Sequence, residues 1–244
     1  MAPPGPCAFH LPGVPVRAGF CHVEARERTV LPVSSKLAGP ELDDGWERAL
    51  ELAWDAFCGQ STPVGAVVVT SSGVIVAEGR GRRYEETGPP RQLAGTHIAH
   101  AEVNALAQLG TDRHYQDHLL LTTLEPCGMC HGAAVQATVG SLAYAGSDPY
   151  GGTADLAFGT PQARQRRLQV SGPLEDGRGR LAELLHIVWI LQLPAGPHVL
   201  AAQQAGLPAR TRLAARPRTL RLFTDAASSR TSLAELRSAL HGTI

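Results

Sequence analysis

The chain has 244 residues, with 22 Lys+Arg set against 22 Asp+Glu and a formal net charge of zero. That length suits one well-packed domain with trimmings rather than two large ones, and the balanced charge lacks the basic excess of a dedicated nucleic-acid binder. The five cysteines (Cys7, Cys21, Cys58, Cys127, Cys130) are odd in number with one tight C-x-x-C, which argues against a disulfide framework.

Residues 1–40 are rich in Pro and Gly, follow no sustained period, and read as a poorly ordered leader without the continuous apolar segment of a signal peptide. Asp43-Asp44 then open a helix through GWERALELAWDAF, with Leu50, Leu52, Ala53 and Phe57 on its apolar face. PVGAVVVTSSGVIVAEG follows. Its two β-branched runs flank Ser71-Ser72-Gly73 and predict a β-hairpin, and their near-continuous apolar character predicts strands buried on both faces. Arg80 to Gly95 is a polar loop carrying Arg80, Arg82, Arg83 and Arg91. It reads first as a solvated charged loop, with a phosphate contact as the alternative. HIAHAEVNALAQLG predicts a helix with Ala99, Val103, Leu106 and Ala107 on one face, ended by Gly110.

LLLTT is a short buried strand, CGMCHGAAVQATV is helix-like, SLAYAG is another strand and LQVSG a fifth. RGRLAELLHIVWILQL is a strongly apolar helix. Its run from Leu184 to Leu193 is broken by His186 and Gln192 and is too short to span a bilayer, so no membrane partner is expected and the cytoplasm is the default location. PAGPHV, LPAR and ARPR suggest loops after about residue 195. A last helix starts at Ser232, where Glu235 completes a capping box. This alternation of helices and strands argues for an α/β domain with helices packed on a central sheet.

Two short segments carry chemistry: His100-Ala101-Glu102 and Pro126-Cys127-Gly128-Met129-Cys130. Zinc prefers four tetrahedral positions and accepts thiolate and imidazole, and a catalytic site keeps one position for water. One imidazole and two thiolates fill three positions. Two cysteines three apart on the first helical turn can face one ion, and the helix N-terminus favours their thiolates. Glu102, too hard to be the preferred ligand of a soft site, is placed to move protons between water, ring nitrogen and leaving amine. A lone C-x-x-C also suits a redox pair or a structural zinc site. A thioredoxin-type pair, however, needs no upstream His-x-Glu, and a closed structural site needs a fourth strong ligand. His131 sits about 100° round the helix from Cys130 and reads as a neighbour of the site or a surface residue. His97, His114 and His118 read as exposed or capping residues, and Cys58 as a small core residue.

H-x-E followed by P-C-x-x-C is the signature of the zinc deaminases. From about Trp46 to Leu191, through TPVGAVVV, AHAEVNALAQLG, TLEPCGMCHGA and YAGSDPYGG, the chain resembles the zinc-dependent cytidine/deoxycytidylate deaminase superfamily, and within it the tRNA-adenosine and guanine deaminase branch. The resemblance implies a three-layer α/β fold, a central mixed sheet flanked by helices, with a helical C-terminal extension. It implies one Zn2+ per chain held by His100, Cys127 and Cys130, with Glu102 as proton shuttle and the Cys127 N–H orienting water. It places Pro63, Val64, Gly65 and Ala66 along the base pocket, Glu125 and Pro126 in the loop before the cysteines, and Asp148 and Tyr150 at the substrate entrance. It also implies a homodimer. The chain divides into a leader (1–40), a deaminase domain (41–194) and an extension (195–244) whose role the sequence leaves open.

Departures bear on substrate. Where tRNA-adenosine deaminases carry E-G-x-N, Glu78-Gly79-Arg80-Gly81 puts glycine at the asparagine position, and the loop from Gly79 to His100 is longer than usual. Asn104 resembles the HAE-x-NA pattern of deoxycytidylate deaminases. The expected activity is hydrolytic deamination of a nucleobase, nucleoside or nucleotide, with tRNA adenosine-to-inosine editing as the alternative and a non-catalytic zinc protein as the third reading.

Overall fold

The computed structural model describes residues 40–155, 160–193 and 196–240. The expected leader lies outside these residues except for Pro40. The elements in order are α1 (Asp43–Cys58), β1 (Gly65–Val69), β2 (Ile75–Arg80), α2 (Ala101–Leu106), β3 (Leu119–Leu124), α3 (Gly128–Gln136), β4 (Ser141–Gly146), α4 (Pro161–Arg166), β5 (Gln169–Ser171), α5 (Gly177–Gln192), α6 (Pro197–Gly206), α7 (Pro208–Ala214), α8 (Pro217–Ser228) and α9 (Leu233–Leu240).

The five strands form one mixed sheet in the order β2-β1-β3-β4-β5. β1 pairs antiparallel with β2 and β3, while β3–β4 and β4–β5 are parallel. The two-residue period of a strand sends alternate side chains to opposite layers. Val67, Val69 and Leu121 meet Trp46, Leu50, Leu185 and Val188 of α1 and α5. Ala66, Val68 and Leu120 meet Ala101 and Ala105 of α2 and Ala134 of α3. The sheet is thus the middle of three layers.

β1 and β3 are wholly buried, as expected, but β2 is an edge strand and leaves Val76 exposed. An apolar run alone does not distinguish an edge from a centre. α2 is shorter than the predicted helix. His97 to His100 precede it, and its buried face is Ala101, Ala105 and Leu106, with Ala107 exposed. After residue 195, where loops were expected, three helices follow one another, separated by Leu207 and by Ala215-Arg216. Pro197, Pro208 and Pro217 are the first residues of α6, α7 and α8, the position where proline's missing N–H costs nothing and its fixed φ suits the helix. The predicted capping box forms: Ser232 N donates to Glu235 Oε2 at 2.9 Å, and Glu235 N to Ser232 Oγ at 3.3 Å.

The C-terminal helices share the main core. Trp54 stacks on Phe57 at 5.4 Å, and Phe223 of α8 meets both rings edge-on. Trp54 Nε1 donates to the Thr231 carbonyl at 2.7 Å. No helix among the described residues is long and apolar enough to cross a membrane.

Candidate functional site

His100 directly precedes α2 and Cys127 directly precedes α3, both in extended conformation, so each presents its side chain at a helix N-terminus. Cys130 lies one turn into α3. The His100 Nδ1 is 3.7 Å from Cys127 Sγ and 3.4 Å from Cys130 Sγ, and the sulfurs are 3.6 Å apart. Zn–S bonds of about 2.3 Å and Zn–N bonds of about 2.0–2.1 Å at tetrahedral angles require edges of about 3.8 Å (S–S) and about 3.6 Å (S–N). The triangle therefore fits a zinc ion in size and donor type. It is the one His/Cys/Asp/Glu cluster with metal-ligand spacing among the described residues.

Glu102, on the first turn of α2, is buried against this triangle. Its Oε2 lies 3.3 Å from Cys130 Sγ, and its Oε1 accepts from the Thr122 hydroxyl at 2.9 Å. Burial pushes its carboxyl above the usual range, against the opposing pull of His100. The Cys127 thiol is lowered to about 4, chiefly by the hydrogen bond from Cys130, against burial and with help from His100. The hydrogen bond to Cys127 and burial hold Cys130 far above the ordinary range. The hydrogen bond with Cys127 raises the His100 imidazole against burial.

A cavity of about 600 Å³ opens over His100, Glu102 and Cys127. Of the residues expected at the base pocket or substrate entrance, Val64, Glu125, Asp148 and Tyr150 line it, and Pro63 does not. Gly65 and Ala66 lie in β1 beneath the helices, and Pro126 leads into Cys127 without lining the cavity. Glu125 is an anchor: its two oxygens accept from Asp148 N and Ala154 N, both at 3.1 Å, and so hold the loop after β4. Gly81 also lines the cavity, and a Cβ there would stand 2.2 Å from the Thr62 carbonyl. On this backbone no side chain takes the place of the asparagine found in tRNA-adenosine deaminases.

Asn104 is a strut. Its amide oxygen accepts from Leu93 N at 2.7 Å, and its nitrogen donates to the carbonyls of Arg80 and Leu93 at 3.1 Å, closing the long loop before α2. Arg80 and Arg82 pair with Glu85, and Arg91 reaches the Leu109 carbonyl. Only Arg83 of the four arginines lines the cavity. His131 is buried with Nδ1 against the Thr153 carbonyl, and His118, expected to be exposed or capping, is buried beside Tyr115. Sequence reasoning missed Thr122, Tyr84, His186, Trp189 and Val199, which support or line the cavity. The polar break at His186 in an apolar helix was the available signal for that wall.

Metal-ligand geometry, a buried carboxylate and a deep cavity at helix N-termini on a mixed sheet together define a metal-dependent enzyme class. The family described as "Cytidine and deoxycytidylate deaminase zinc-binding region" matches residues 41–145. A tRNA-specific adenosine deaminase of Bacillus subtilis is 34% identical over 124 residues, 48% of this chain and 71% of that protein. The chain belongs to the zinc-dependent cytidine/deoxycytidylate deaminase superfamily, with relatives in its tRNA-adenosine and guanine deaminase branch. A tRNA(Ile)-lysidine synthase of Deinococcus radiodurans is 40% identical over 142 residues, 55% of this chain but 22% of that protein. The chain thus spans about a fifth of the length of its Deinococcus relatives. A solved guanine deaminase of Nitrosomonas europaea is 24% identical, with a TM-score of 0.46, covering 64% of this chain and 86% of the other.

Proposed function

We propose that the chain is a zinc-dependent hydrolytic deaminase of a nucleobase, nucleoside or nucleotide. The observation that carries this reading is the His100–Cys127–Cys130 triangle with the Glu102 carboxylate buried against it. These three residues would hold one zinc ion per chain. When bound, zinc lowers the pKa of water towards neutrality and supplies Lewis acidity. Glu102 takes a proton from the attacking water and returns protons to the ring nitrogen and the departing amine. Without that return the leaving group would be amide ion, a very poor one. Water adds to the amino-bearing ring carbon, the C–N bond breaks, and the products are a ring carbonyl and ammonia. Thr122 orients the carboxylate.

A second reading is tRNA adenosine-to-inosine editing. The names of the Bacillus and Deinococcus relatives, both of which refer to tRNA, favour it. The zero net charge and the glycine at position 81 favour the small-molecule reading. A non-catalytic zinc site would call for a fourth protein ligand, and among the described residues the cluster has three. The same proposal makes the protein cytoplasmic and a homodimer, which sedimentation would test. Ammonia release by the zinc-loaded protein against free bases, nucleosides, nucleotides and a tRNA pool, with Glu102→Gln as blank, tests the activity. Release from a small molecule supports the first reading, and release from tRNA alone supports the second.

A further inference from the structure

His186 interrupts the apolar run of α5 and lines the cavity with Trp189, Ile190 and Val199. Its Nδ1 is closed off from solvent and meets no hydrogen-bond partner. Among the described residues no partner meets Nε2 either. Burying a bare lone pair is cheaper than burying an N–H that has no acceptor. The ring proton therefore belongs on Nε2, on the ring's open side, and His186 presents an N–H to the cavity. Burial pushes the imidazole below its ordinary range, against the pull of Asp148.

Asp148 lines the same cavity and is the charge that His186 senses. Its Oδ1 accepts twice, from Tyr150 N and from Gln203 Nε2, both at 3.0 Å, which leaves Oδ2 as an acceptor. Gln203 of α6 is fully buried, and its backbone carbonyl accepts from the Thr211 hydroxyl at 3.0 Å. The ring of Trp189 lies 6.2 Å from His186 and 6.1 Å from Tyr84, giving the cavity a flat aromatic side.

We propose that His186 and Asp148 form a donor–acceptor pair, with Gln203 as the positioning residue for the carboxylate, that reads a planar heterocycle carrying a ring N–H beside a carbonyl or ring-nitrogen acceptor. This deepens the deaminase reading and rests on it for the reaction. A free base such as guanine or cytosine displays that edge. In cytidine the sugar replaces the N–H beside the carbonyl, and adenosine has no ring N–H at all. The helices beyond residue 195 thereby contribute to substrate choice.

The test is calorimetric binding of guanine, cytosine, adenosine, cytidine and a tRNA anticodon stem-loop to zinc-loaded Glu102→Gln protein, repeated with Asp148→Asn, His186→Leu, His186→Asn and Gln203→Leu added, alongside kcat and KM in the Glu102 background. The free bases are expected to bind about tenfold tighter than the nucleosides, the size of one hydrogen bond to a charged partner. Asp148→Asn, which exchanges the acceptor for an N–H, should remove that preference. His186→Leu, which loses the donor to the neighbouring ring acceptor, should raise KM for the base with little change in kcat, and His186→Asn, which keeps an N–H, should restore part of that affinity. Gln203→Leu should weaken base binding while zinc content stays at the parent value. Nucleosides or a tRNA anticodon stem-loop binding as tightly as the free bases would overturn the proposal, as would an unchanged preference in Asp148→Asn or unchanged base affinity in His186→Leu. Free-base binding with no ammonia released by the wild-type protein would sink the deaminase reading and leave the recognition pair standing.

Discussion

The Thr122 hydroxyl, in the centre of β3, donates to Oε1 of Glu102 at 2.9 Å. It holds one oxygen of a carboxylate whose other oxygen faces Cys130. Thr122 is fully buried and does not line the cavity, so it acts on substrate only through Glu102. Thr122→Val keeps the shape and removes the donor. A hydrogen bond to a charged group contributes about 1.5 kcal/mol or more, and about 1.4 kcal/mol is tenfold in rate. The expected result is kcat lowered about tenfold or more with KM nearly unchanged. Steady-state kinetics on whichever substrate the ammonia screen finds would check it, and an unaltered kcat would remove Thr122 from the machinery.

The metal ligands and the proton shuttle make separable predictions. Cys127→Ala and Cys130→Ala each take away one corner of the triangle, so zinc per chain and activity should fall together. Glu102→Gln should keep the zinc and lose deamination, because the amide has nearly the shape of the carboxylate but does not take up a proton. Chelation should also lower the melting temperature, since an ion that binds only the folded chain stabilises it by mass action, by about 4 kcal/mol at a thousandfold excess over Kd. Zinc stoichiometry by a colorimetric chelator, read beside thermal unfolding, distinguishes these outcomes. A fully metallated Cys130→Ala protein would contradict the ligand set.

The close approach of α2 to β2 supplies a steric test. A Cβ at Gly79 would stand 2.5 Å from the Ala101 carbonyl oxygen and from Ala105 N, both backbone atoms of α2. Gly79→Ala should push that helix away, costing about 1–3 kcal/mol as overpacking does. Because His100 and Glu102 sit at the start of α2, zinc affinity should fall with it. Gly132→Ala is the control: nothing lies within 4 Å of the added methyl on α3, and an alanine in a helix gains about 0.5–1 kcal/mol over glycine. Urea unfolding of both variants should move in opposite directions.

How far the sequence reached depended on the range of each interaction. His100, Glu102, Cys127 and Cys130 were legible because residue type and short spacing state the donor chemistry, and the structure brings their atoms within reach of one another. The strands were legible from β-branched runs, but edge and centre were not: β2 and β1 read alike, and only pairing leaves Val76 exposed. Proline misled after residue 195 because it both ends helices and begins them, and the local sequence does not say which. Glu125 lines the cavity, but its hold on the amides of Asp148 and Ala154, more than twenty residues away, was not legible. The same distance hid His186 and Gln203, whose surroundings exist only once α5 and α6 fold back over the cavity.

The role of the C-terminal helices in stability rests on Phe223. It is fully buried on α8 and packs edge-on against Trp54 at 6.5 Å and Phe57 at 6.0 Å, both on α1. Aromatic pairs of this geometry add about 0.5–1.5 kcal/mol to what burial alone contributes. Phe223→Ala removes the contact and leaves a cavity between α8 and α1, for which large-to-small core changes cost about 3–5 kcal/mol. A loss of that size in a single unfolding transition, seen by both fluorescence and circular dichroism, would mean that α8 and the sheet unfold together. A loss under about 1 kcal/mol, or two separate transitions, would mean that α8 rests on a core already stable without it, and the wall that α6 gives the cavity would then have to be held by Gln203 and Thr211 alone.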